Sequence, residues 1–176
     1  WANEYQELKE TLTEEEYIAA RASTLNAHFT SPAIIRGIYA ALERMGFQGG
    51  NILEPSCGIG NFFGMMPESI KNEKSRLFGV ELDDVSGRIA KVLYPNANIQ
   101  VNGFENVKYP NNFFDVVVGN VPFGDYTVND PAYNKHHFMI HDYFIAKGLD
   151  QLRPGGVMAV ITSAGTMDKK NQDARK

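Results

Sequence analysis

The segment Asn120-Val121-Pro122-Phe123 combines residue types that suit chemistry at an amino nitrogen, and it directly follows the apolar run 113–119. An amino group on an aromatic ring is a poor nucleophile because its lone pair is delocalised into the ring. Acceptors for both amino hydrogens favour a pyramidal nitrogen, and we expect Asn120 Oδ1 and the Val121 carbonyl to be those acceptors. Pro122 stiffens the turn that aims them, and Phe123 offers a ring on which a flipped base can stack. Together with a glycine-rich segment about sixty residues upstream, this segment predicts methyl transfer to an amino nitrogen.

The segment Glu54-Pro55-Ser56-Cys57-Gly58-Ile59-Gly60 lies upstream, between an apolar run and a predicted helix. Its glycines permit positive φ and close approach of the backbone to a ligand, although a tight strand-to-helix turn needs glycine for steric reasons alone. The next predicted strand ends in Gly79-Val80-Glu81-Leu82-Asp83. The Glu81 carboxylate at this strand tip favours a ligand-binding turn over a purely steric one, because a carboxylate in that position can accept both hydroxyl hydrogens of a ribose. A third glycine is missing after Gly60, so a cofactor that carries a pyrophosphate is disfavoured.

The elements that must position these segments alternate along the chain. The apolar patterns predict helices at 13–22, 31–45, 60–66, 84–94 and 138–152, and strands at 51–53, 76–82, 98–102, 113–119 and 156–163. Thr13, followed by Glu14, Glu15 and Glu16, predicts a capping box, and Ser31-Pro32 predicts a capped helix start with proline at its first position. The alternation indicates an α/β fold with a mostly parallel sheet and helices on both faces. The long loop 121–137 begins at a strand end, where ligands of such sheets bind.

The bulk composition bounds the class of protein. With 176 residues and 43% hydrophobic content, the chain suffices for one α/β domain. The net charge of −4 has the wrong sign for a domain that grips a phosphate backbone widely, so we expect weak nucleic-acid binding by this chain alone. No apolar stretch reaches the roughly 20 residues that span a bilayer, which predicts a cytoplasmic protein without membrane contact. The chain starts at Trp1 and stops at Lys176, so we expect a piece of a longer protein.

Other potentially reactive residues favour ordinary structural roles. Cys57 is the single cysteine, which excludes a disulfide framework and a cysteine-rich zinc site, and we expect it to be a small buried packing residue. His137 and His141 are four residues apart and would share one face of a helix, but no third ligand accompanies them. We therefore predict no metal site. The aromatic residues Phe113, Phe114, Phe138 and Phe144 are expected in the core.

The order of these segments resembles that of the S-adenosylmethionine-dependent N6-adenine DNA methyltransferases. Residues 53–62 look like their motif I, 79–83 like motif II, 120–123 like motif IV, and His28-Phe29-Thr30-Ser31-Pro32 like motif X. Motif X ahead of motif I, with motif IV afterwards, matches the gamma arrangement, in which a target-recognition domain follows the catalytic domain. The resemblance implies a Rossmann-like methyltransferase fold preceded by N-terminal helices, with residues 1–27 a helical extension and 28–176 the catalytic domain. It also implies S-adenosylmethionine as cofactor and DNA as partner, bound mainly through a C-terminal recognition region absent from this chain.

The resemblance further assigns cofactor contacts to residues of this chain. The implied cofactor-binding residues are Thr30, Glu54, Pro55, Ser56, Gly58, Gly60, Glu81, Leu82, Phe104 and Glu105. Thr30 would help to hold the methionine carboxylate, the turn that starts at Glu54 the methionyl group, and Glu81 the ribose. Phe104 would pack on the cofactor adenine and Glu105 would accept from its amino group, although the family commonly places the acid before the aromatic residue.

Other functions resemble parts of the same pattern. Protein-glutamine and RNA methyltransferases share a similar amide-proline-aromatic segment, a module that has lost catalysis would retain cofactor binding, and a bare strand-ending turn is the simplest alternative. Val121 stands where the family commonly has a first proline, which adds an N–H group and loosens φ. Leu152-Arg153-Pro154-Gly155-Gly156 resembles a segment of large chains that join a methyltransferase to a helicase, so a fusion of that kind is expected.

Overall fold

A computed structural model of the chain describes residues 2–18, 21, 29–164 and 166. A five-stranded parallel sheet forms the centre of this part, in the order β3-β2-β1-β4-β5. The strands are β1 Asn51–Glu54, β2 Arg76–Glu81, β3 Asn98–Val101, β4 Phe114–Asn120 and β5 Leu152–Ile161. The chain lays down β1, β2 and β3 in one direction and then returns to the other side of β1. This reversal opens a crevice at the carboxyl ends of β1 and β4, the usual ligand position in such sheets.

Helices cover both faces of the sheet. They are α1 Ala2–Thr11, α2 Pro32–Arg44, α3 Asn61–Gly64, α4 Asp84–Leu93 and α5 Ile140–Gln151, with further helical residues at 14–18 and 3₁₀ turns at Phe104–Asn106 and Asn134–His136. The predicted α/β fold with N-terminal helices is confirmed. No helix among the described residues is long and apolar enough to cross a membrane.

Several element boundaries differ from the sequence-based prediction, and two of the differences have a clear structural cause. The predicted helix 60–66 is only one turn long, Asn61–Gly64, because Pro67 disfavours a helical conformation at the residue before it. The last strand begins at Leu152, before the Pro154-Gly155-Gly156 segment that was predicted to precede it. Phe114 pairs with Leu152 and Val116 with Val157, so this segment is a bulge within the strand.

Of the two predicted helix starts, one has the predicted capping hydrogen bonds and the other does not. Glu16 N donates to Thr13 Oγ1 at 3.2 Å and Thr13 N donates to Glu16 Oε2 at 2.9 Å, so the capping box is confirmed. Residues 19, 20 and 22 of that predicted helix lie outside the described residues. Pro32 begins α2 as predicted, but the Ser31 side chain makes no capping hydrogen bond. The Ser31 carbonyl instead accepts from Ile34 N and Ile35 N, so the predicted side-chain cap was wrong.

Side-chain alternation along the strands divides the core into two layers. Ile52, Val116 and Val118 face α2, whereas Leu53 and Val117 face α5. The layer against α5 holds the aromatic residues, with Phe114 and Phe144 buried and Phe113 and Phe138 half-buried against them, as predicted. The core therefore fixes the carboxyl ends of β1 and β4 from both faces.

Candidate active site

A cleft of about 690 Å³ lies at the carboxyl ends of the strands. Ligand pockets commonly measure about 300–1,000 Å³. Glu54 at the end of β1, Glu81 at the end of β2 and Asn120 at the end of β4 all line it. The cleft thus unites chain segments that are far apart in the sequence.

Most of the residues singled out by the sequence line this one cleft. All four candidate catalytic residues, Asn120, Val121, Pro122 and Phe123, belong to its wall. The candidate cofactor residues in the wall are Thr30, Glu54, Pro55, Ser56, Gly58, Glu81, Leu82, Phe104 and Glu105. Gly60 is not part of the lining, and His28 lies outside the described residues.

Glu81 ties the glycine turn to the end of β2. Its Oε2 accepts from Gly58 N at 2.7 Å and its Oε1 accepts from Asp83 N at 2.8 Å. These bonds hold the carboxylate in one orientation. A carboxylate offers about four lone-pair positions, so the two amides leave acceptor capacity for a ligand in the cleft.

The catalytic segment is held by two neighbouring elements. Ser56 Oγ donates to the Asn120 carbonyl at 2.8 Å, which joins the glycine turn to the end of β4. Val121 N donates to Ile161 O at 3.0 Å, so the N–H group that a proline would lack has a partner on β5. This bond fixes the backbone at Val121 where the loss of proline was expected to loosen it.

Glu54 is a buried carboxyl group within the cleft wall, only 3% exposed. Burial raises its pKa well above the ordinary value, and the nearby Glu81 carboxylate raises it further. Among the described residues, Glu54 Oε2 has no hydrogen-bond partner. A cation bound in the cleft would favour the ionised form of this carboxyl group.

A sequence profile decides the family of this chain. The profile of the Eco57I restriction-modification methylases matches residues 18–176. The chain belongs to the Eco57I restriction-modification methylase family. The cleft described above is therefore the candidate active site of a member of this family.

Individual relatives are similar to large parts of this chain. Defense against restriction protein B of Escherichia phage P1 is 36% identical over 153 residues, which cover 84% of this chain and 6% of that protein. The rRNA N(6)-adenosine-methyltransferase metl-5 of Caenorhabditis elegans is 27% identical over 143 residues, covering 76% of this chain and 61% of that protein. The chain thus spans less than two thirds of the length of these relatives.

A solved structure shares the fold. A modification subunit of a putative type I restriction enzyme from Vibrio vulnificus YJ016 matches with a TM-score of 0.67 and 16% identity, covering 99% of this chain and 40% of that one. The chain has the Rossmann-like fold that is found in S-adenosylmethionine-dependent methyltransferases.

Some residues of the cleft wall were missed by sequence reasoning. Asn102 follows β3 directly, and the strand-end rule that located Glu81 would have found it. Its Oδ1 accepts from Gly103 N at 2.8 Å, which shapes the turn before Phe104. Tyr126 lines the cleft from within the long loop and is 52% exposed. The spacing of residues in the sequence did not indicate Tyr126, because side chains in a loop follow no regular periodic pattern.

The described residues contain no group of three His, Cys, Asp or Glu side chains placed to hold a metal ion. His137 has a left-handed backbone and lies outside α5, so the expectation that it shares a helix face with His141 was wrong.

Cys57 is buried, and this burial raises the pKa of its thiol, as suits a packing residue.

Gly60→Ala should destabilise the chain strongly, although Gly60 is outside the cleft lining. Gly60 has φ +85° at the start of α3, and an added Cβ would overlap the Tyr94 ring. Left-handed φ costs about 1–2 kcal/mol for an L residue, and overpacking adds about 1–3 kcal/mol. We expect the free energy of unfolding, measured by urea denaturation, to fall by about 2–5 kcal/mol.

Gly58→Ala is the matched control for Gly60→Ala. Gly58 also has positive φ, +54°, but an added Cβ would meet nothing within 4 Å. We therefore expect only the backbone cost, about 1–2 kcal/mol. An equal loss in both variants would contradict the steric role of Tyr94.

Glu54→Gln should become increasingly stabilising, relative to wild type, as the pH rises above the ordinary carboxyl pKa of 4.5. A folded-state pKa above the unfolded value means that the folded chain binds this proton more tightly. The resulting stability is fully present below the unfolded pKa and is lost as the pH rises through the folded pKa. Glutamine does not ionise, so the variant escapes this loss. Urea denaturation of both proteins at several pH values measures the difference, and a constant difference would contradict the raised pKa.

Proposed function

We propose that this chain is the catalytic domain of an enzyme that transfers a methyl group from S-adenosylmethionine to the N6 amino group of adenine in DNA. One observation carries the proposal. The segment Asn120–Phe123 and the acid-tipped strand that ends at Glu81 line a single cleft. The glycine turn between them bonds to both, through Ser56 Oγ to the Asn120 carbonyl and through Gly58 N to Glu81. The proposed acceptors for an amino group, Asn120 Oδ1 and the Val121 carbonyl, thus share one cleft with Glu81, the proposed acceptor for a ribose.

The residues of the cleft fit S-adenosylmethionine. Glu81 is fixed by two backbone amides and retains acceptor capacity for ribose hydroxyls. Gly58 leaves open space where a side chain would stand. The buried Glu54 carboxyl group, with an oxygen lacking a partner among the described residues, complements a cationic ligand. Thr30 and Phe104 complete the proposed contacts to the methionine and adenine ends.

The cofactor, when bound, supplies a methyl group on a sulfonium, which becomes a neutral thioether after transfer. Asn120 Oδ1 and the Val121 carbonyl would each accept one hydrogen of the target N6 group and localise its lone pair for attack on the methyl carbon. The nitrogen then loses its extra proton to water. Phe123 is 42% exposed at the mouth of the cleft and provides a stacking face for the flipped base. Positioning and electrostatics, rather than a strong base, would supply the rate.

The family and the phage P1 relative favour DNA as the substrate, whereas another relative favours RNA as the second candidate. Restriction-modification methylases give this family its name, and the phage P1 relative is named for defence against restriction. The relative metl-5 is named as an rRNA N6-adenosine methyltransferase. Both substrates present an adenine amino group, so the same residues would serve either reaction.

The test supplies labelled S-adenosylmethionine to the purified chain with four acceptors: adenine-containing DNA, the same DNA with N6-methyladenine throughout, RNA, and a glutamine-containing peptide. Digestion to nucleosides followed by mass spectrometry identifies the product. We expect N6-methyldeoxyadenosine from the first DNA and none from the second. High substrate concentrations offset the weak DNA binding predicted from the net charge of −4.

Label in RNA or peptide but not in DNA would overturn the DNA assignment and retain the methyltransferase. Binding of S-adenosylhomocysteine without transfer to any acceptor would favour a module that has lost catalysis. Absence of cofactor binding by the folded chain would overturn the proposed function entirely.

A further inference from the structure

A buried lysine lies behind the cleft at a junction of three segments. Lys147 of α5 is 6% exposed. Its Nζ donates to Phe104 O at 2.7 Å, to Asp130 Oδ2 at 3.0 Å and to Tyr143 OH at 3.1 Å. An ammonium group has three N–H donors, so all three are used. The Phe104 ring also lies under the charge, with its centroid 4.8 Å from Nζ.

The acidic partner of Lys147 belongs to the long loop 121–137. Asp130 is 7% exposed, and its Oδ2 also accepts from Tyr143 OH at 2.7 Å. Its Oδ1 accepts from Ala132 N at 3.1 Å. Burial raises the pKa of Asp130, but the hydrogen bonds from Tyr143 and Lys147 outweigh this, so the pKa lies below its usual value. Asp130 is thus a charged anchor within the loop.

The two segments held by Lys147 form different parts of the cleft wall. Phe104 lines the cleft on the side proposed for the cofactor adenine. The loop 121–137 contributes Phe123, Tyr126 and Val128 to the side proposed for the target base. The Tyr126 carbonyl accepts from Ile140 N at 2.9 Å, so the loop is tied to α5 at a second point. One ammonium group therefore fixes the distance between the two sides.

Stability alone is a poor reason for a buried ion pair. Replacing such a pair by apolar residues of similar size is often neutral or stabilising, whereas its directional bonds specify the relative position of its partners. Here those partners are the Phe104 carbonyl and the Asp130 loop, and neither is close in sequence to Lys147.

We propose that Lys147 is a positioning residue that couples cofactor binding at Phe104 to ordering of the loop 121–137. A ligand that packs against Phe104 restrains its carbonyl, and the restraint reaches Asp130 through Nζ. The target side of the cleft is then ordered before the base enters, which is a positive coupling between the two sites. This inference rests on the proposed function.

The test compares the wild-type chain with Lys147→Met and Arg153→Met, with S-adenosylhomocysteine as the probe. Arg153 pairs with Asp115 at the opposite end of the sheet, so its replacement removes the same charge and breaks an ion pair far from the cleft. Calorimetry gives the dissociation constant, and hydrogen exchange followed by mass spectrometry gives backbone protection with and without the probe.

We expect the probe to slow exchange at 102–106 and at 121–137 in the wild type and in Arg153→Met. In Lys147→Met, the slowing at 102–106 should persist while that at 121–137 is lost, and the dissociation constant should rise by less than about tenfold. Retained slowing of the loop in Lys147→Met would overturn the coupling. No binding of the probe by the wild type would overturn the proposed function, and the inference with it.

Lys147→Met leaves the Asp130 charge buried without its partner, which is strongly destabilising. Should that variant fail to fold, the double variant Asp130→Asn/Lys147→Met removes both charges and is judged by the same criterion. Tyr143→Phe keeps the ion pair and should retain the slowing of the loop. Loss of the slowing in Tyr143→Phe alone would overturn the assignment to Lys147.

Discussion

Asn120→Ala is expected to lower the rate of methyl transfer by at least about 100-fold while changing the affinity for S-adenosylhomocysteine by less than about threefold. Removing one preorganised polar group from a transition-state site typically costs about 10²–10³ in rate. The bond from Ser56 Oγ reaches the Asn120 main-chain carbonyl, so alanine retains it and the glycine turn stays in place. The substitution removes the side-chain oxygen that is the proposed acceptor for the target amino group.

Single-turnover transfer at saturating cofactor gives the rate in this experiment, and calorimetric titration gives the affinity. Ser56→Ala is the matched control, because it removes the bond to the same residue without removing the proposed acceptor. It should reduce the rate far less than Asn120→Ala does. A large loss of cofactor affinity in Asn120→Ala would contradict the division between a target side and a cofactor side of the cleft.

Glu81→Ala is expected to weaken cofactor binding by about 1.5–3 kcal/mol, which corresponds to roughly a 10- to 150-fold rise in the dissociation constant. The carboxylate is the proposed acceptor for the ribose hydroxyls. It also holds Gly58 N and Asp83 N, so its loss leaves two backbone amides without their acceptor. Both effects act on the cofactor side of the cleft. Calorimetric titration with S-adenosylhomocysteine measures the change.

Asp84→Ala is the matched control for Glu81→Ala. Asp84 also lines the cleft and carries the same charge, but its side chain is 71% exposed and pairs with Arg88 within α4. Exposed pairs of this kind contribute little, so we expect less than about a threefold change in the dissociation constant. Equal losses in the two variants would indicate a general effect of charge and contradict a directed contact from Glu81.

The alternation of apolar runs in the sequence was sufficient to predict the layered α/β fold, because strand and helix periods are local properties of the chain. The same apolar runs predicted that Glu54, Glu81 and Asn120 lie at strand ends, and the carboxyl ends of parallel strands meet at one edge of a sheet. The capping box at Thr13 was equally predictable from the sequence, since its partners lie three residues apart. Each of these features depends on residues that are neighbours along the chain.

Only the tertiary structure decided how these residues are held. Ser56 reaches Asn120 and Val121 reaches Ile161 across strands, and no spacing in the sequence encodes either bond. Gly60 was grouped with the cofactor residues by its motif, but the ring of Tyr94 accounts for its lack of a side chain. Lys147 gave no signal at all, because a lysine in an amphipathic helix ordinarily faces solvent. Its burial depends on where Phe104 and Asp130 meet α5, which is a property of packing between distant segments.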